Sequence, residues 1–526
     1  MKKLDIGVVV TTLIIVTISC SLAFFAARVV GEPKDINLVA KNVAITFNDT
    51  SIIANGVVSP GWNTTKTFTI TNNSKEEYKY NISIKDLINT FVTEGYLQYK
   101  ITSTNNGYNM TEFKDIPKSS APKDTILAYS VSIPVGVTQN YTIEFKYAND
   151  ESVDQSDDMG RKLSGTLFIT EGTEQPVTLL SQILKDNPTI SERKDFATLL
   201  TTTTTGTLFT STESITVITD SPKEVYYYAG NPTNNWVKFA GFYWRIIRTN
   251  HDSSIRLLYV GTSHDTTTGN IGKSKFNPSY NSPKYVGYKY GEDTSLDTIR
   301  NNTTDSTIKT YIDTWYKNNL TNYTKYLSTS AVYCNDRKLA SGSTYTAYRE
   351  EHNNKNLLAY VDKNERKTLI AAETVHNGTR FASDERLDTN KSPSYNCTDI
   401  RDAFSVDNTS AKLDYPISLM TADEIAFAGG VAYQEMNTPY AWFISNSAGT
   451  QVSTSWWTLS PARWGDGIAS VFYMYGSSNP GNLSVDTVFS TLGVRPAISL
   501  KSCTLYSTGN GSASAPYTIK ETTSGC

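Results

Sequence analysis

Six tryptophans and tyrosines crowd into positions 442–475: Trp442, Trp456, Trp457, Trp464, Tyr473 and Tyr475. Flat apolar rings beside Asn, Asp and Arg side chains are what sugars and peptides stack against. Trp464 lies in a glycine-containing stretch, 462–467, and Gly465, Asp466, Gly467 and the later Asn479 favour exposed loops over strand interiors. The sequence therefore predicts a ligand-binding site at Trp464, with Trp442, Asp466 and Tyr475 as neighbours. Core packing is the competing reading for these rings. Because side chains alternate along a strand, only one of Trp456 and Trp457 is expected to point into the core. Arg495, next to Pro496, has two readings, a buried structural guanidinium or an anion contact.

Other chemistry finds little support. Gly272-Lys273-Ser274 looks like the end of a phosphate loop, but Thr267 stands where the loop's first glycine belongs. The four histidines, His251, His264, His352 and His376, form no H-E-x-x-H pair, and no G-x-S-x-G elbow occurs. Asp154, Asp157 and Asp158 resemble a calcium loop, yet Met159 takes the position of its glycine, so a solvated acidic turn is expected. No catalytic residue, metal ligand or cofactor is assigned. With 48 Lys and Arg against 51 Asp and Glu, there is no basic excess to neutralise phosphates, and a nucleic-acid partner is not expected.

Place is read from the first residues and the cysteines. Lys2 and Lys3 precede an uncharged run at 6–27, which as a helix would span roughly 33 Å, enough to cross a bilayer. Residues 1–35 are read as a cytoplasmic tip and signal-anchor helix that leaves the bulk of the chain outside a bacterial cell membrane. A cleaved signal peptide and lipid attachment at Cys20 are the alternatives. Beyond Cys20 there are Cys334, Cys397, Cys503 and Cys526, without a C-x-x-C pair. An even number in an exported segment suggests disulfides in one of three connectivities. The sequence-nearest pairs, Cys334–Cys397 and Cys503–Cys526, are favoured over the other two and over four free thiols.

The positioning elements are mostly strands. Period-two alternation marks 66–71, 78–84 and 96–102, with further strands at 126–133, 141–147 and 163–169, so residues 36–172 are expected to form a β-sandwich. Residues 173–219 read as a linker with one short helix at 179–184, stopped at Asn187-Pro188, and a mobile or extended threonine run at 201–205. The third region, 220–526, is expected to be α+β. It has a hairpin at 237–261 turning at 250–253, a helix through Ile308, Ile312, Trp315 and Leu320 with Asp305 or Ser306 as N-cap, and a helix at 421–428 closed by Gly429 and Gly430.

Three resemblances rest on these segments. An N-terminal strand near 43–47, KTFTITNNS at 66–74, VGVTQNYTIEFKY at 135–147 and GTLFIT at 165–170 are similar to the camelysin and biofilm-matrix-fibre proteins of Gram-positive bacteria. That implies a jelly-roll-like surface module capable of strand exchange, and so of self-association. YCNDR at 333–337, YPISLMTADEIAFAGG at 415–430, WWTLSP at 456–461, GVRPAISLK at 493–501 and GNGSASAPYTI at 509–519 resemble an uncharacterised domain of surface proteins of gut Gram-positive bacteria. WWTLSP with GVRP also resembles the C-type-lectin-like fold of the formylglycine-generating enzymes, whose copper-binding cysteine pair has no counterpart here. Together with the N-terminal run and the aromatic cluster, the resemblances lead to the expectation of a membrane-anchored surface protein, not an enzyme, that binds or adheres to glycan or protein ligands. A structural fibre or pilus-like subunit is the second reading, an extracellular enzyme on a formylglycine-type fold the third.

Overall fold

The computed structural model describes residues 58–345, 379–465 and 467–526 in full, and the backbone of four strands before them. The chain divides into two compact units, Met1–Gln175 and Pro176–Cys526.

In the first unit, strands occupy each segment where alternation predicts one: Asn63–Asn72, Tyr78–Asn89, Leu97–Ser103, Ser119–Ile133, Thr138–Tyr147 and Leu163–Glu171. They form two sheets. One runs Gly56–Val57, Ala26–Val29, Leu163–Glu171, Tyr78–Asn89, Ser119–Ile133; the other runs Ile36–Ala40, Val43–Asp49, Asn63–Asn72, Thr138–Tyr147, Leu97–Ser103, Lys114–Asp115. Alternate residues of each sheet face the other, so Tyr80, Ile82 and Leu167 share one core with Phe68, Ile101 and Ile143. This is a sandwich. The buried hydroxyl of Tyr80 donates to Gln139 Oε1 (2.6 Å) and pairs with the Tyr141 hydroxyl (2.5 Å), tying the two sheets through polar groups that would be costly to bury alone.

Two expectations change here. The strand Ala26–Val29 pairs in parallel with Leu163–Glu171, Arg28 opposite Ser164, so the sandwich begins before residue 36 and takes Ala26 and Ala27 from the expected anchor helix. The rest of that run, 6–25 with Cys20, lies outside the described residues, among which no helix is long and apolar enough to cross a membrane. The acidic turn is not wholly solvated either. Asp158 is buried and accepts hydrogen bonds from the backbone of Val92 (2.5 Å) and the hydroxyl of Tyr147 (2.8 Å), fixing the loop that follows Tyr78–Asn89.

The second unit absorbs most of the expected linker. The helix Leu179–Asp186 forms as predicted, N-capped by Thr178, and buries Leu179 and Ile183. Thr189–Glu192 and Thr207–Glu213 then open a large mixed sheet that continues through Lys223–Tyr227, Phe242–Thr249, Trp236–Phe239, Tyr517–Ile519 and Tyr506–Thr508. What holds this polar segment is non-local. Arg193 donates to the carbonyls of Ala426 and Phe427, Phe196 packs edge-on against Phe427, and Leu200 donates to the Gly429 carbonyl. Gly429 sits at φ +120°, and a side chain there would collide with the Leu200 carbonyl. The expected hairpin is a three-strand meander: Trp236–Phe239 turns at Ala240-Gly241 into Phe242–Thr249, which turns at 250–253 into Ile255–Gly261.

A second sheet, Lys273–Ser274, Leu492–Gly493, Trp456–Gly465, Ile468–Met474, Leu483–Thr487, completes the α+β unit. Both predicted helices are present. Thr307–Asn319 is capped by Ser306 and buries Ile308, Ile312 and Tyr316 against this core. Ala422–Ala428 begins with a capping box between Thr421 and Glu424 and ends at Gly429. Both favoured disulfides are formed, Cys334–Cys397 with Cα atoms 5.8 Å apart and Cys503–Cys526 with 5.5 Å. Such bridges point to an extracellular or otherwise oxidising environment.

Candidate functional site

The predicted aromatic site is a core. Trp464 is only 5% exposed and belongs to the main hydrophobic core of the second unit, on a strand, Trp456–Gly465, that is paired with Thr379 on one side of the ring and Ala469 on the other. The glycines around it make the turn of the hairpin with Ile468–Met474, one residue beyond the ring, so they reported a turn and not the exposure of Trp464. Trp442 is fully buried and donates its indole N–H to the Tyr228 carbonyl (3.0 Å). Tyr475 is half-buried against Tyr473, and Asp466 lies outside the described residues. Trp456 and Trp457 are both buried, contrary to the one-in, one-out expectation, since both faces of the strand are covered. Trp456 lies beneath the Arg495 guanidinium (4.9 Å), while Trp457 packs on Phe276 and donates to the Ser274 carbonyl. Arg495 takes the structural reading: it is buried and donates to the carbonyls of Phe443 and Tyr259.

The other motif residues are hubs of buried ion pairs. Glu424 accepts from Arg248 (2.8 Å) and Arg256 (2.6 Å). Burial alone would push its carboxyl up, but the two guanidinium groups outweigh that and hold it below the ordinary carboxylate range. Arg248 also binds Glu213 (2.8 Å), whose backbone partner is His251. Asp423 receives a two-pronged contact from Arg386, which reaches Asp336 with its remaining nitrogen. Arg337 of YCNDR binds Asp402 and the carbonyls of Lys289 and Ile299. The space bounded by Glu213, Arg248, Arg256, Asp336, Arg386 and Asp423 is about 20 Å³, room for one water, which makes the cluster a scaffold.

An open groove of about 640 Å³ lies instead along the helix Thr307–Asn319. Thr307, Tyr311, Thr314, Trp315 and Asn318 line it from the helix, with Ser274 and Pro278 from the segment before it. These helical positions recur at spacings of three and four, a stripe of rings and polar groups beside the buried stripe Ile308, Ile312 and Tyr316. Sequence reasoning placed Trp315 in the apolar stripe and passed over Tyr311; the i, i+4 pairing of the two rings was the available signal. Trp315 is half-buried and propped by Phe242 (5.4 Å) and Tyr259 (5.5 Å). The Tyr311 hydroxyl donates to the Ile271 carbonyl (3.3 Å). The Thr314 hydroxyl donates to the Thr310 carbonyl (2.8 Å), which leaves its oxygen free to accept. The Asn318 side chain is exposed and makes no hydrogen bond among the described residues, so it offers both donors and an acceptor.

Among the described residues Asp305 is the charged group lining the groove, and its oxygens are engaged by Lys289 (3.1 Å) and Lys309 (3.0 Å). The Lys309 ammonium is wholly buried and also meets Asp313 (2.6 Å) and Asp414 (2.7 Å). Burial works against its charge, but the Asp313 carboxylate and the hydrogen bonds of all three acids outweigh it and raise its pKa.

No protein family matches the sequence, and no curated protein matches it. Among solved structures, the chain is similar to AvmM, described as catalysing macrocyclization in alchivemycin A biosynthesis. The match is at 10% identity and a TM-score of 0.15, over 28% of this chain and all of the other, and it carries no argument about fold or activity.

Proposed function

We propose that this chain is a surface protein that binds glycan through the groove along Thr307–Asn319. One observation carries the reading: two aromatic rings, Tyr311 and Trp315, stand beside hydroxyl and carboxamide groups with spare hydrogen-bonding capacity. A sugar presents an apolar C–H face ringed by hydroxyls that both donate and accept. Rings beside such groups match that pattern, and among the described residues the engaged carboxylate of Asp305 leaves the groove lining without a free charge to recruit an ionic ligand. The disulfides support an extracellular setting. The uncharged run at the N-terminus supports a bilayer anchor, and the resemblance to surface-protein domains of gut bacteria supports placement on a bacterial cell, with the lectin-like unit carrying the ligand.

The test is a screen of the full-length protein, in detergent or nanodiscs, against immobilised neutral and acidic glycans and cell-surface proteins. Retention on one or more neutral glycans, weakened in Asn318→Ala, is the expected result. Retention on protein ligands alone, or glycan retention indifferent to Asn318, would move the ligand elsewhere.

A further inference from the structure

We propose that Lys309 is the groove's built-in cation: its ammonium fills the place between Asp305, Asp313 and Asp414 that a divalent metal would otherwise take, and makes the groove independent of metal. The inference deepens the glycan reading and rests on it for the word groove, but its geometry stands alone. The carboxylate oxygens of the three acids lie within 4.8 Å of one another, the spacing of ligands around one ion. An acidic cluster of this kind needs a positive charge, and here the chain supplies it. The Lys309 side chain is 0% exposed and its nitrogen meets all three acids at 2.6–3.0 Å, using its three N–H donors on three carboxylates.

Position gives this ammonium its role. Asp305 and Ser306 open the helix, and both line the groove whose wall the helix then builds. By tying Asp305, just ahead of that helix, and Asp313 within it to Asp414 of a distant segment, Lys309 fixes where Tyr311 and Trp315 stand. It does not line the groove itself, its ammonium reaches the lining through Asp305 alone, and it is a positioning residue. A metal-bound lectin site would instead release its ligand when calcium is withdrawn.

The test is thermal melting of the full chain in millimolar calcium chloride and in chelator. Wild type is expected to melt at the same temperature in both. Lys309→Ala leaves three acids crowded without a counter-charge and should melt lower by roughly 5–10 °C in chelator, with calcium restoring much of the loss by occupying the vacated centre. Asp414→Asn, which keeps Lys309 with buried Asp313 and half-buried Asp305, should fold and stay indifferent to calcium. Calcium-dependent melting of the wild type or of Asp414→Asn would overturn the proposal, as would a Lys309→Ala protein that calcium does not rescue or that melts like wild type. These readouts involve no glycan, so a groove that binds no sugar would refute the glycan reading and leave this one standing.

Discussion

At the scale of single residues, the buried tryptophans and the buried ion pairs make opposite demands on the solvent, and both can be measured. Trp464 lies inside a sheet with strands on either side, so Trp464→Ala should destabilise the second unit by about 3–5 kcal/mol. A melting curve that moves by less than about 0.5 kcal/mol would return the ring to the surface. Glu213 gives a pH signature. Burial opposes its charge, but Arg248 and the hydrogen bond from His251 more than compensate, and its carboxyl falls from 4.5 to about 2. Because the folded state holds this proton less tightly than the unfolded state, the stabilisation is complete above 4.5 and is lost as pH falls through about 2. Denaturant melts of wild type and Glu213→Gln should therefore differ by a constant amount at neutral pH and converge between those two values; a gap that widens on acidification would reverse the sign. The sequence showed the residue types of this network but not their partners, since Arg248 and Glu424 meet across 176 positions.

At the scale of elements, local rules carried most of the reading. Alternation marked the sandwich strands, Ser306, one of two candidates, announced the start of one helix, and Gly429 announced the end of the other. Ser306→Ala removes the bond to the Lys309 backbone and should cost about 1 kcal/mol in a denaturant titration, where no change would mean another group caps this end. What local rules could not show is which face of an element meets another element. The connector looked unanchored because the partners of its Arg193 and Leu200, namely Ala426, Phe427 and Gly429, lie far along the chain. The same blindness misassigned the aromatics. Trp464 sits next to turn glycines yet is enclosed, while Trp315 sits in a helical apolar pattern yet borders open space. A hydrophobic period reports that a face is covered somewhere, not that every ring on it is covered.

At the scale of the whole molecule, two units with separate cores each carry a distinct part of the account. Both disulfides belong to the second, closing sequence separations of 63 and 23 residues, which loop-closure entropy makes worth about 4 and 3.5 kcal/mol. Calorimetry should thus resolve a transition that drops sharply in reductant and another, from the sandwich, that does not move; a uniform shift of both would show that the units do not unfold independently. The central claim is that the second unit binds glycan along Thr307–Asn319, and a titration of the retained glycan into wild type and Trp315→Ala, each paired with its own melting curve, tests it most directly. The groove account predicts that Trp315→Ala remains folded at the assay temperature and binds at least about tenfold more weakly, the loss of roughly 1.4 kcal/mol or more expected when a stacking anchor is removed. An unchanged affinity in a folded Trp315→Ala protein would contradict it.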